Sequence, residues 1–255
     1  MNEIILSLII AFGIQIFFFI FAATFKSDKV TDLSYGLSFI ILSVFLLLRN
    51  NMFQILQIII TTLIVLWGLR LAGYLFIRIL KIKKDARFEG MRENFVKFAG
   101  FWFFQAITVW IIMLPATFVL SSSLNLSLSV LSYIGLGIWL LGFLIETIAD
   151  QQKFIFKNKN KIGFIKTGLW RYSRYPNYFG EMTLWWGLFI MIIPYLVGLS
   201  LLTILGPIFI TFILLFVSGI PLLEKRYDKK YANDKEYQNY KKSTSKLIPW
   251  FPKKI

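Results

Sequence analysis

The chain has 255 residues, 57% of them hydrophobic and 18% aromatic, with mean hydropathy +0.68 and a formal charge of +15. Such a composition excludes an ordinary soluble globular domain. Cys and His are both absent, which excludes disulfides, thiol nucleophiles, Ser-His-Asp catalysis and most zinc or haem sites. Carboxylate, Tyr, Lys or Arg chemistry remains, or a bound organic cofactor, and no metal site is expected.

The first apolar run, 4 to 25, follows Met1-Asn2-Glu3. It has no basic n-region and is too long for a secretory signal, so it reads as a retained span. Further apolar runs follow at 33 to 49, 52 to 80, 99 to 120, 128 to 149, 181 to 197 and 200 to 223. A helix of such length, at about 1.5 Å per residue, can cross a hydrocarbon core of about 30 Å. The expected fold is therefore all-α, a polytopic membrane bundle of about seven transmembrane helices. It forms a single membrane domain with N-terminal helices over 1–130 and a second half over 131–255 that ends in a basic tail. The run at 181 to 197 is the shortest and is expected to be tilted or broken.

Charge distribution decides what the basic excess means. Of the 28 Lys and Arg, six lie in 81 to 98, seven in 150 to 174 and ten in 224 to 255, while the connectors at 121 to 127 and 198 to 199 carry none. Basic and uncharged connectors alternate, as the positive-inside rule requires of a chain with its N-terminus outside and its C-terminus in the cytoplasm. No soluble domain is present to carry a nucleic-acid surface. The expected partners are membrane lipids and an apolar small molecule.

Polar groups inside apolar runs narrow the site. Arg70, Tyr74 and Arg78 recur every four residues and share one helix face. Snorkelling suits Arg78, whereas Arg70 lies about two turns deeper. Glu146 and Asp150 are also four apart, and like charges at that spacing need a cation or a donor between them. An interfacial pair bridged by a basic residue of the next loop is one reading, and a ligand site is the other.

The richest stretch is Gly168-Leu-Trp-Arg-Tyr-Ser-Arg-Tyr-Pro-Asn-Tyr-Phe-Gly-Glu181. Arg171 and Arg174 offer two guanidinium forks. Pro176 suits the first turn of a new helix, whose free amides and positive dipole end favour a phosphate or carboxylate. Glu181 then enters the apolar run almost at once, a placement that calls for a partner or a ligand.

This stretch, preceded by Glu146-x-x-x-Asp150-x-Gln-Lys-x-x-Phe156, resembles the steroid 5α-reductase-like family, in its bacterial branch of unknown substrate. Trp67-Gly-Leu-Arg-Leu71, Asp85-x-Arg87-Phe88 and the ending Tyr240-Lys-Lys-Ser-Thr-Ser-Lys-Leu-Ile-Pro-Trp-Phe-Pro252 extend the resemblance over nearly the whole chain. The superfamily also holds the isoprenylcysteine carboxyl methyltransferases, which share an Arg-x-Pro-x-Tyr-x-Gly core. Tyr175 stands where the pattern usually has His, so the role of that His is here absent or taken by a phenol.

The resemblance implies a multi-pass protein of a bacterial inner membrane that uses NADPH to reduce a carbon–carbon double bond conjugated with a carbonyl, in a lipid, steroid-like or isoprenoid substrate. The residues it implies for cofactor binding are Glu146, Asp150, Arg171, Arg174, Asn177, Tyr178 and Glu181, with Tyr227, Tyr231 and Tyr240 from the tail. These types suit phosphates, ribose hydroxyls, a carboxamide and aromatic rings. No Gly-x-Gly-x-x-Gly occurs, so a dinucleotide would be held outside a Rossmann frame. Asp32 and Tyr35 are the candidate catalytic acids. A methyltransferase using S-adenosylmethionine stays open through the shared core. So does a transporter or scaffold, although the matching half-repeats it calls for are not visible.

The charge alternation makes a testable prediction. A reporter fused to the C-terminus that works only in the cytoplasm should be active, and one that works only outside should be silent. The reverse pattern would invert the topology.

Overall fold

A computed structural model describes residues 3–82, 88–159 and 163–253. Asp85 and Arg87 of the Asp85-x-Arg87-Phe88 match lie outside the described residues. Ten α-helices are described: α1 (Glu3–Thr24), α2 (Thr31–Asn50), α3 (Ile55–Ile82), α4 (Phe95–Ile112), α5 (Leu114–Leu120), α6 (Val130–Asn158), α7 (Pro176–Ile192), α8 (Leu205–Phe212), α9 (Ile220–Lys230) and α10 (Lys235–Ser243). The only β-pairing among the described residues is an isolated bridge, Ser173 with Ser245. An all-helical, polytopic membrane protein is the result, as lipid demands of backbone that must bond to itself.

Six segments among the described residues are long and apolar enough to cross a membrane: Glu3–Thr24, Thr31–Asn50, Ile55–Lys81, Phe95–Ile112, Val130–Asn158 and Gly198–Lys230. Three expected spans differ in detail. The run at 99 to 120 is split at Met113, because Pro115, in the first turn of α5, cannot continue the α4 ladder. The run at 200 to 223 is not one regular helix: a 3-10 segment Gly198–Ile204, α8, a π-helical turn Ile213–Val217 and a break at Gly219 precede α9. The apolar segment expected at 181 to 197 is displaced toward the N-terminus as the 17-residue α7, which starts at Pro176.

The chain divides into two compact units, one of residues 1–129 and 192–206, the other of 130–191 and 207–255. In the first, α2 and α3 approach through small residues: a Cβ on Gly36 would lie 2.8 Å from that of Ala72 and 3.1 Å from the Gly68 carbonyl. Its buried polar side chains bond to one another. Gln105 Nε2 donates to Gln15 Oε1 at 3.0 Å and Ser34 Oγ at 3.1 Å, and Gln15 Nε2 donates to Ser38 Oγ at 2.7 Å. Beyond that network, Arg92 and Asp28, 8% and 2% exposed, form an ion pair of 3.2 Å.

The second unit rests on α6 and α7, which run antiparallel with their backbones touching. A Cβ on Gly135 would meet the Gly187 carbonyl at 2.5 Å, and one on Gly142 would meet the Leu184 amide nitrogen at 2.5 Å. On the facing helix, Gly180 and Gly187 are as tightly opposed to Glu146 and Trp139. Each pair of glycines is seven residues apart, so both recur on one face at every second turn. Any side chain there would push against backbone, which cannot yield as a flexible side chain can.

This close approach predicts that Gly180→Ala lowers the melting temperature, with a loss of about 1–3 kcal/mol. Gly137→Ala on the same pair of helices, where nothing lies within 4 Å, should be neutral or stabilising through helix propensity. Equal melting temperatures for the two variants would contradict the contact.

Candidate functional site

The glycine contact brings the end of α6 beside the start of α7. Glu146 and Asp150, 2% and 7% exposed, are buried there, and Asn177 Nδ2 donates to Asp150 Oδ1 at 3.2 Å. A 3-10 turn, Gly168–Arg171, packs on the next turn of α6. Leu169 donates its amide hydrogen to Gln152 Oε1 at 3.0 Å, Trp170 Nε1 donates to the Ala149 carbonyl at 3.0 Å, and Lys153 Nζ sits 4.9 Å above the Trp170 ring. Gly168 has φ +64°, and a Cβ there would collide with the Gln152 side chain.

The C-terminal tail straps this segment down. Arg174 N donates to the Ser245 carbonyl at 2.8 Å and Trp250 N to the Tyr172 carbonyl at 3.0 Å. Ser173 Oγ donates to the Leu247 carbonyl at 2.7 Å. Tyr240 and Tyr231 donate their hydroxyls to the carbonyls of Trp170 and Gly163, at 2.6 and 2.7 Å. Phe164 lies among the rings of Tyr231, Tyr237 and Tyr240, and Tyr227 packs on Tyr231 and Tyr237. Of the tail tyrosines expected at a cofactor, Tyr231 and Tyr240 thus have their hydroxyls on backbone carbonyls.

Arg174 and Tyr175 converge on Glu224 of α9, which the sequence reading did not include. Arg174 Nη1 lies 2.5 Å from Glu224 Oε1, with the two side chains 10% and 17% exposed, and the Tyr175 hydroxyl donates to the same oxygen at 2.6 Å. Lys241 lies 3.6 Å from the other oxygen and 2.5 Å from Asp228. The signal was available: Glu224 follows Leu222-Leu223 at the end of the last apolar run, as Glu181 stands at the start of the one before it. The Tyr175 phenol is therefore a buried donor to a carboxylate. Burial first, then the Glu224 contact, raises the Tyr175 pKa above the usual phenol range. Burial and the nearby Glu224 push Tyr237 up to about 12, and burial also raises Tyr240.

Two buried polar atoms at the start of α7 have no hydrogen-bond partner among the described residues, Arg174 Nε and Asn177 Oδ1. Arg171 is exposed on the rim of an open groove of about 420 Å³, also lined by Lys166, Lys253, Asn239, Tyr240 and Glu236. Lys166 pairs with Glu236 across that groove. Tyr178 stacks on Tyr175 with ring centroids 6.0 Å apart, and Glu181 is half-buried on α7. The candidate acids belong to the other unit, where Asp32 pairs with Arg78 at 2.8 Å and Tyr35 packs edge-on against Phe39.

A family described as "Protein of unknown function (DUF1295)" matches residues 18–244, and the chain belongs to it. No curated protein and no solved structure matches the chain.

Two outcomes test the Glu224 hub. Glu224→Gln strands the Arg174 charge and should cost up to about 3 kcal/mol of stability, partly restored by Arg174→Met. Because the Tyr175 pKa is raised in the folded chain, its contribution is complete below the unfolded phenol value of roughly 10 and is lost as pH rises beyond it. Alkaline unfolding should therefore be less steep in Tyr175→Phe. An unchanged melting temperature in Glu224→Gln, or an unchanged alkaline limb, would contradict this account.

Proposed function

We propose that the protein is a membrane-embedded, NADPH-dependent reductase of a carbon–carbon double bond conjugated with a carbonyl in a lipid, steroid-like or isoprenoid substrate. The observation that carries the cofactor part is the pair of buried polar atoms on either side of Pro176 at the start of α7, a donor on Arg174 and an acceptor on Asn177, without partners among the described residues. Buried polar groups are nearly always satisfied, and a ligand that accepts from one and donates to the other would satisfy both. A carboxamide or a ribose hydroxyl has that character.

The charge of the neighbouring groove supports a phosphorylated cofactor. Arg171, Lys166 and Lys253 line it against the one carboxylate of Glu236, which is already paired with Lys166. Arg171 makes no ion pair among the described residues and keeps its planar fork for phosphate oxygens. The groove volume of about 420 Å³ falls within the range of small-molecule sites. Bound there, NADPH would supply the hydride that, with a proton, saturates the double bond. The chain's own part is to fix the start of α7 through Asp150, Glu224 and the tail, and to present the Arg171 fork at the groove and the buried Arg174 Nε at the start of the helix.

S-adenosylmethionine is the second reading, favoured by the buried Glu146 and Asp150 carboxylates, which suit a sulfonium cation. It has no phosphate for the basic groove. Titrating the detergent-purified protein with each compound separates the readings. NADPH should bind saturably, with affinity reduced about tenfold in Arg171→Ala and partly restored in Arg171→Lys. Binding of S-adenosylmethionine without NADPH would replace the reductase by a methyltransferase, and binding of neither would overturn the cofactor reading.

A further inference from the structure

The last ten described residues follow the basic helix α10 and belong, by sequence, to a tail whose excess is basic. Their surface is apolar as well as basic. Ile248, Trp250 and Phe251 are 61%, 71% and 76% exposed, three large apolar side chains within four positions and outside every membrane-crossing segment. Scattered exposed apolar residues are ordinary, but a contiguous aromatic patch marks a contact surface.

The segment carrying them is held in place. Its backbone is bonded to Tyr172 and Arg174, Lys253 N donates to the Ser243 carbonyl, and Phe251 meets the Tyr172 ring edge-on at 5.9 Å. Pro249 and Pro252 keep it extended, since neither can donate to a helical ladder. The patch is thereby fixed to the residues directly preceding Pro176. That residue opens α7, which lies backbone to backbone with the membrane-crossing α6. The 17 residues of α7 span only about 25 Å, less than a hydrocarbon core of about 30 Å. A helix that short draws its flanking residues toward the hydrocarbon boundary. The tail segment tied to Tyr172, Ser173 and Arg174 is drawn with them.

We propose that Ile248, Trp250 and Phe251 form a lipid anchor that enters the headgroup region of the leaflet at which α7 begins, with Lys246 and Lys253 facing anionic phospholipid headgroups. The composition fits the place. Trp is enriched at the membrane interface, where an apolar ring with one polar edge is best solvated, and lysine adds attraction to anionic lipid. A cavity of about 360 Å³ is lined by Ile248, Trp250, Phe251, Ser243, Ser245 and Lys253, and so combines apolar side chains with one cation, the chemistry of an acyl chain and its headgroup. Lys246 and Lys253 are both exposed. The proposal does not depend on the reductase reading, although Lys253 also lines the groove assigned there to the cofactor. Its consequence is that the strap over the 168–175 segment is itself held by the membrane.

The chain has no Cys, so one engineered thiol reports one site. Phe251→Cys and, as a control in the exposed α9–α10 turn, Asn233→Cys are each labelled with an environment-sensitive fluorophore. Each is then reconstituted into vesicles of phosphatidylcholine and phosphatidylglycerol that carry spin-labelled lipid. Quenching by a spin label near the headgroup should be roughly threefold or more stronger at 251 than at 233, consistent with interfacial depth. Equal quenching at both positions would overturn the anchor. Adding Lys246→Gln and Lys253→Gln to the 251 variant should weaken quenching about twofold in the anionic vesicles and leave it unaltered in pure phosphatidylcholine. No difference between the two lipid compositions would overturn the headgroup pairing.

Discussion

The backbones of α6 and α7 lie against each other because four glycines leave nothing between them. In hydrocarbon there is no hydrophobic drive to bring helices together, so van der Waals contact between close backbones carries much of the association. That contact sets the register of the second unit. With Gly142 against Leu184 and Gly180 against Glu146, the end of α6 meets the start of α7, and Asp150 reaches Asn177. The 3-10 turn rests on Gln152 and Ala149, and the tail is strapped over it. A side chain at any of these glycines would displace backbone that positions the whole candidate site.

Each unit also has to satisfy polar groups that water cannot reach. The first does so with neutral amides and hydroxyls, the Gln15, Ser34, Ser38 and Gln105 network, and with the buried Asp28–Arg92 pair. The second concentrates charge at the end where α7 and α9 meet the tail. Glu224 takes a guanidinium and a phenol on one oxygen and has an ammonium near the other. Removing one partner of such a cluster costs more than the cluster contributes as a whole, because the survivor is left charged and poorly solvated. Several buried polar atoms fall outside that pairing among the described residues, Thr61 Oγ1, Trp102 Nε1 and Thr147 Oγ1 among them, and Arg174 Nε and Asn177 Oδ1 are the two that lie together in sequence at the start of α7. Those two atoms motivate the ligand proposed at the start of α7.

Much of the fold was legible in the sequence, because lipid imposes length and hydropathy on every crossing segment. The start of α7 at Pro176 was legible too, since proline at a first helical turn has a local cause. The split at Met113 and the irregular stretch from Gly198 to Gly219 were not, because hydropathy records depth and is blind to backbone continuity. Glycines at 135, 142, 180 and 187 are ordinary until the two helices are paired, and only the paired register gives their spacing a meaning. Among site residues, Asp150 and Asn177 are brought together, and Arg174 is joined to Glu224, which sequence placed at the edge of a basic tail. Tyr231 and Tyr240 were assigned to a cofactor through resemblance. Their hydroxyls lie on the Gly163 and Trp170 carbonyls, pairings separated by about 70 residues in sequence and so invisible to local pattern.

The central claim is that an anionic nucleotide engages the first turn of α7 and the strapped segment before it. Amide hydrogen exchange across residues 168–180, followed with and without saturating NADPH, tests it most directly. The account predicts slower exchange within that segment when NADPH is present, at the amides around Asn177 above all, with little change in α1 to α5. Unchanged exchange there, or protection confined to α1 to α5, would contradict it.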